Sequence, residues 1–219
     1  MQQIAHVLPQ KKGKRGMETV AVLDFETTGL SPNLGDRATE IATILIRDSE
    51  VIDSFESLMN AGRHIPPYVS GLTGITNEMI AAAPPAAKVM TEAARFVGRK
   101  PVVAHNATFD RRFWEAELDN VSRRSLNTFA CTMLISRRIY PDFPDHKLQT
   151  LVRKLGLPRA RRAHRAMADA EMTSHLWTKI RKDIANNYGL PNVDHQLLVN
   201  LQEVVRAHVP RFLRDRCAQ

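Results

Sequence analysis

Cysteine is nearly missing from this 219-residue chain: only Cys131 and Cys217 are present, and neither belongs to a C-x-x-C pair. Neither a disulfide framework nor a thiolate zinc site is indicated, and a reducing compartment, the cytoplasm, is expected. No apolar run approaches the roughly 18 residues that cross a bilayer, and no apolar segment follows a basic one at the N-terminus. Neither a membrane span nor a secretory signal is therefore expected. Internal repeats and low-complexity tracts are lacking too. Acids are absent from two stretches, residues 1–16 and residues 147–165, and both stretches are basic.

What is present is an apolar fraction of 43%, enough for one substantial core, and a formal net charge of +8. The sequence pI is about 9.9. Such a balance favours an anionic partner, nucleic acid first and an acidic membrane surface second. Residues 1–16 carry Lys11, Lys12, Lys14 and Arg15 and cannot pack a core. They read as a basic flexible tail, either merely solvated or serving as a nuclear-import signal or nucleic-acid arm. The main body is expected over 17–189 and a C-terminal helical extension over 190–219.

Hydrophobic patterning predicts strands at 19–26, 38–47 and 51–59, with Asp48, Ser49 and Glu50 turning between the last two. Thr76 reads as an N-cap, and Pro85 opens an Ala-rich helix that ends near Gly98. Val102 to Ala104 reads as a buried strand. Helices are predicted at about 109–119, 130–139, 147–155 and 165–187, and Leu197, Leu198, Leu201, Val204 and Val205 suggest another. Early strands followed by interleaved helices imply a mixed β-sheet flanked by α-helices, an α/β or α+β body.

Three acidic segments carry the chemistry. In VAVLDFETTGLSP, a strand aims Asp24 and Glu26 to one side and Phe25 to the other. Carboxylates so close repel unless a cation lies between them, and oxygen-only ligands suit hard ions such as Mg²⁺ or Mn²⁺. Taken alone, the pair is equally a strand end facing solvent. In VVAHNATFDRRF, Asp110 falls in the first turn of a helix, where a carboxylate also serves simply to stabilise the helix dipole. In AHRAMADAEM, His164 and Asp169 lie about 140° from a common helical face. Asp169 is therefore expected on the helix and His164 on the looser segment before it, where it serves as a general base or is only a surface residue.

DFETTGL, HNATFD and HRAMADA resemble the three motifs of the DEDDh 3′–5′ exonucleases, the family of bacterial proofreading epsilon subunits and ribonuclease T-like enzymes. IPPYVSGLTGITNEMIAAAP, CTMLISRRIYP and KLQTLVRKLGL extend the resemblance over about residues 19–180, although LTGI stands where some proofreading subunits carry a histidine before the glycine. The resemblance implies a ribonuclease H-like fold and a metal-dependent exonuclease releasing nucleoside 5′-monophosphates from DNA 3′ ends. It implies two divalent cations, Mg²⁺ or Mn²⁺. Asp24 bridges both, Glu26 and Asp169 hold the first, Asp110 holds the second, and His164 takes a proton from the attacking water. It also implies that Thr27, Leu30, Asn106 and Phe109 contact the terminal nucleotide. Leu30 and Phe109 are otherwise ordinary core or loop packing. The implied partners are nucleic acid with a free 3′ end, single-stranded DNA above all, and a DNA polymerase or other replication or repair protein. RNA 3′-end trimming is the near alternative, and a non-catalytic nucleic-acid-binding module on the same fold is the outside one.

Lys147, Arg153, Lys154, Arg159, Arg161, Arg162 and Arg165 form an acid-free block just before Asp169. It reads as a solvated face or, beside a phosphodiesterase site, as a surface for the nucleic-acid backbone.

Overall fold

The computed structural model describes residues 18–160 and 165–217. The basic tail, Arg161, Arg162 and His164 lie outside the described residues. Strand β1 (Thr19–Thr27) is buried from Val20 to Leu23, and β2 (Ala38–Arg47) is buried along nine of its ten residues. β3 (Glu50–Leu58) is exposed and carries Glu50, Asp53 and Glu56, the charged pattern that blunts an open sheet edge. Asp48 and Ser49 both adopt left-handed backbone (φ 49° and 71°), the tight hairpin turn whose twist suits two adjacent antiparallel strands.

Two short helices, α1 (Pro67–Thr73) and α2 (Asn77–Ala81), follow. The Thr76 hydroxyl accepts from Met79 N–H at 3.3 Å, so the expected cap is in place. Helix α3 (Ala86–Val97) ends at Gly98, whose φ of 57° favours glycine, and leads to β4 (Val102–Ala104) and α4 (Ala107–Asp119). A third short element, β5 (Phe129–Cys131), precedes α5 (Thr132–Ile139). Here the structure departs from the helix expected over 130–139, because a three-residue strand buried on both faces shows no period. Then come α6 (Leu148–Lys154) and the long α7 (Ala166–Tyr188), closed by Gly189.

The sheet runs β3-β2-β1-β4-β5. β1, β2 and β3 are antiparallel, whereas β1, β4 and β5 are parallel, so the sheet is mixed and flanked by helices on both faces. Residue parity decides which face is which. Val20, Val22, Ala42, Ile44 and Ile46 pack with Leu176, Trp177 and Ile180 of α7. Ala21, Leu23, Phe25, Ile41 and Leu45 pack with Met90 of α3 and Phe113 and Trp114 of α4.

The C-terminal segment belongs to the first of these cores. Leu197, Leu198 and Leu201 of α8 (His195–Leu201), and Val209 and Leu213 of α9 (Val209–Cys217), pack with Ile180 and Ile184. Val204 and Val205 lie beyond α8, and Val205 is exposed, so the predicted helix stops earlier than their spacing suggests. The Gln202 side chain imitates a neighbouring strand: its oxygen accepts from Cys131 N–H at 2.7 Å and its amide donates to Phe129 O at 3.3 Å. That covers the open edge of β5.

Helix α4 is anchored by Glu117, which is 2% exposed. Its carboxylate accepts from Arg37 Nε and Nη2, both at 2.8 Å, and from Ala38 N–H at 3.0 Å. Removing one partner of such a buried pair strands the rest. Glu117→Ala should therefore cost about 3 kcal/mol, read as a lower urea midpoint with an unchanged slope.

Candidate active site

The end of β1 is where the two faces meet. Asp24 and Glu26 continue the even parity of Val20 and Val22 and so face α7. The β1–β2 register shifts between Glu26 and Thr27, and this bulge ends the strand. The following loop is held by its own polar groups. Thr28 N–H donates to Arg37 O at 2.9 Å, Arg37 N–H to the Thr28 hydroxyl at 3.0 Å, and Ser31 N–H to Asp36 Oδ2 at 3.0 Å. The Asp36 carboxyl lies close over Gly29, so a Cβ there would displace it from its bonds to Thr28 and Ser31, and glycine is favoured. Thr27 is buried, its hydroxyl donating to Gly29 O at 2.5 Å, while Leu30 is 77% exposed beside it. Leu30 is thus neither core nor packed loop.

Asp169 occupies the first turn of α7, and Asp24, Glu26 and Asp169 each offer a carboxylate oxygen within 4.8 Å of the others. Asp110 arrives from the opposite helix layer. It is 2% exposed on α4, and its Oδ1 accepts from Phe25 N–H at 3.2 Å, between the two acids of β1. All four acids therefore surround one strand end, while His164 lies outside the described residues.

Withdrawal from water leaves these carboxyls reluctant to ionise. Burial, then Asp110, Asp169, Glu26 and Glu40, holds Asp24 well above the usual carboxylate range. Burial, followed by Asp169 and Glu40, pushes Glu26 up to about 8, with Arg165 pulling the other way. Burial takes Asp110 to about 8 despite the Phe25 N–H.

Asn106 caps α4 in left-handed backbone (φ 64°) and is exposed. Phe109 is half-buried, its ring 4.9 Å from that of Phe113. Asn106 stands one turn before Asp110, and Phe109 directly precedes it. Before them His105 ties the end of β4 to α5: Nδ1 lies 2.9 Å from the Thr132 hydroxyl and Nε2 lies 3.1 Å from His146 O. Burial lowers its pKa to about 4; Nε2–H donates to the carbonyl, while the Thr132 hydroxyl beside Nδ1 also lies 3.3 Å from Ala104 O.

Glu40 and Arg165 were not anticipated in the site. Glu40 stands opposite Glu26 in the register, and Arg165 binds it with two guanidinium nitrogens. The available signal was a lone acid inside the apolar run of β2. Of the acid-free block, Lys147, Arg153, Lys154 and Arg159 are exposed.

A family model described as "Exonuclease", of the RNase T type, matches residues 21–176. The chain belongs to this exonuclease family. The DNA polymerase III PolC-type protein of Bacillus subtilis is 35% identical over 170 residues, which cover 77% of this chain and 12% of that protein. The chain thus spans a small part of the length of that relative. A solved structure of Exonuclease X in complex with 5′ overhanging duplex DNA is 25% identical, with a TM-score of 0.66, over 84% of this chain and 99% of that one. The nuclease domain of 3′hExo, a DEDDh family member bound to rAMP, shares the fold: TM-score 0.65, 16% identity, 78% and 95% covered.

Membership of this family implies use of a divalent metal, and the chain's own donor set fits one. The converging atoms of Asp24, Glu26 and Asp169 are all carboxylate oxygens, and their mutual repulsion is relieved by a cation. Among the described residues no helix is long and apolar enough to cross a membrane.

A pH dependence follows. In the folded metal-free protein Glu26 and Asp110 hold protons up to about 8, whereas unfolded they ionise near their usual 4.5 and 3.8. Over that window the folded state binds more protons, so metal-free stability falls as pH rises. Melting temperature in EDTA should therefore drop between pH 5 and pH 8. Added Mg²⁺ should raise it, and more at pH 8 than at pH 6.

Proposed function

We propose that this chain is a metal-dependent 3′–5′ exonuclease that hydrolyses the last phosphodiester bond at a DNA 3′ end. The observation that carries this reading is the convergence of the Asp24, Glu26 and Asp169 carboxylates within 4.8 Å, with Asp110 bonded to the backbone between the first two. By the resemblance of its motifs, Asp24 would hold two cations, Mg²⁺ or Mn²⁺, shared with Glu26 and Asp169 on one side and with Asp110 on the other. Such a pair, when bound, supplies charge stabilisation to the attacking and leaving oxygens of an in-line displacement. His164 is the group assigned to take the proton from the attacking water. As the water oxygen bonds to phosphorus, the P–O3′ bond breaks and a nucleoside 5′-monophosphate leaves.

Residues around the acids suit the handling of a strand end. In this reading the exposed Leu30 would wedge against the terminal bases, and the Thr27 main chain would meet the 3′-hydroxyl. Asn106, one turn before Asp110, and Phe109, directly before it, would complete the terminal-nucleotide pocket. The exposed Lys147, Arg153, Lys154 and Arg159 would follow the phosphate backbone. Residues 17–189 are assigned to the exonuclease domain and 190–219 to its helical extension. The likeness to PolC-type polymerases supports a role in DNA replication or repair, and a polymerase is the partner assigned to it by this reading.

With 5′-labelled single-stranded DNA, mismatched-end duplex and single-stranded RNA plus Mg²⁺ or Mn²⁺, the parent should ladder DNA from its 3′ end. Asp24→Ala should lose more than about 100-fold in rate, at least what one oriented electrostatic group contributes. Preference for RNA would move the reading to RNA trimming; no cleavage of any substrate would reduce the chain to a binding module. Binding of single strands by Asp24→Ala should also weaken steeply between 50 and 200 mM salt, by roughly 10-fold or more for a few phosphate contacts.

A further inference from the structure

Glu40 is the least expected acid of the site. Its side chain is 1% exposed, yet its charge is held by four hydrogen bonds. Arg165 Nε reaches both carboxylate oxygens at 3.1 Å, Arg165 Nη2 reaches Oε1 at 2.5 Å, and Ala166 N–H donates to Oε2 at 2.9 Å. The last bond caps the first residue of α7, whose start has no side-chain cap of its own. The next link is a hydrogen bond within the helix: Asp169 N–H donates to Arg165 O at 3.1 Å, closing its first turn.

We propose that the Glu40–Arg165 clasp is the positioning device of the metal site, pinning the start of α7 to β2 and so fixing Asp169 against Asp24 and Glu26. The inference rests on the exonuclease reading above. Three physical reasons support it. Asp169 lies a single turn beyond the clasp, so any lift or rotation of the helix start is passed to its carboxylate directly. Asp24, Glu26 and Asp169 repel one another before a cation arrives, and a helix end without an anchor would yield to that repulsion. In sequence Arg165 directly follows His164, so the clasp joins the chain at the residue after the proposed base.

A bridge that merely stabilised the fold would change melting temperature and nothing else. The test therefore measures Mn²⁺ affinity by the electron paramagnetic resonance of free Mn²⁺, with kcat and KM on 5′-labelled single-stranded DNA, below the melting midpoint of each variant. Glu40→Gln, which keeps size and the Ala166 bond, and Arg165→Ala should each weaken Mn²⁺ binding about 10–100-fold and lower kcat with little change in KM. Arg165→Lys should recover only part, since an ammonium cannot make the forked contact. The double variant should be little worse than either single one. Folded variants that bind Mn²⁺ as the parent does would overturn the clasp, even if they melt earlier. A parent that neither binds Mn²⁺ nor cleaves DNA would instead remove the exonuclease reading, and the clasp with it.

Discussion

The repulsion among carboxylates withdrawn from water at the end of β1 is the constraint on which the rest of the molecule depends. Asp24, Glu26, Asp110 and Asp169 come from three separate elements, and Asp24, Glu26 and Asp110 resist ionising in that company. A chain left to minimise this conflict would splay the elements apart. It does not, because the two helices that bring the outer acids are tied down elsewhere. Helix α4, with Asp110, is held by Glu117, which binds Arg37 and Ala38; helix α7, with Asp169, is held at Arg165 and Ala166 by Glu40. Glu117 and Asp110 are seven residues apart, about 20° around the helix, so the anchor and the functional acid share one face. Both ties reach the same few residues around the start of β2.

The mixed sheet makes this convergence possible. β1 is the central strand, antiparallel to β2 and parallel to β4, so its C-terminal end is flanked by the start of one neighbour and the end of the other. Alternation along β1 sends the even residues toward α7 and the odd ones toward α3 and α4. Asp24 and Glu26 therefore face α7 without any change of register. Asp110 takes the other route, reaching around the strand end to Phe25 N–H. The cluster is assembled from both layers because it stands where the strand stops separating them.

This also explains what could be read from residues alone. The Asp24–Glu26 pair is legible because strand geometry is periodic, and Asp110 and Asp169 because each sits in a recognisable first helical turn. The hairpin at Asp48 and Ser49 is legible from turn chemistry. β5 is not, since Phe129 to Cys131 is too short to carry a pattern. The role of Glu40 is hidden for a different reason: its partner lies 125 residues away, and nothing local distinguishes a buried paired acid from one at a strand end. Gln202 is similar, a polar side chain whose purpose appears only when β5 is seen to need a neighbour on its open edge. Local order reaches the reader through periodicity, whereas long-range polar pairing does not.

The charge distribution then acquires a consistent meaning. An acidic centre in a chain of net charge +8 would by itself repel a phosphodiester, and its carboxylates would by themselves remain partly protonated. Cations bound at the centre answer both objections at once, since they ionise the acids and reverse the sign of the field that the substrate meets. In the proposed function, the exposed lysines and arginines of 147–159 would act at longer range, gathering the backbone in a salt-dependent way without competing for the metal. Arg165 stands between the two zones, its guanidinium committed to Glu40. A cation bound that firmly to a structural acid leaves the remaining carboxylates available to a metal ion.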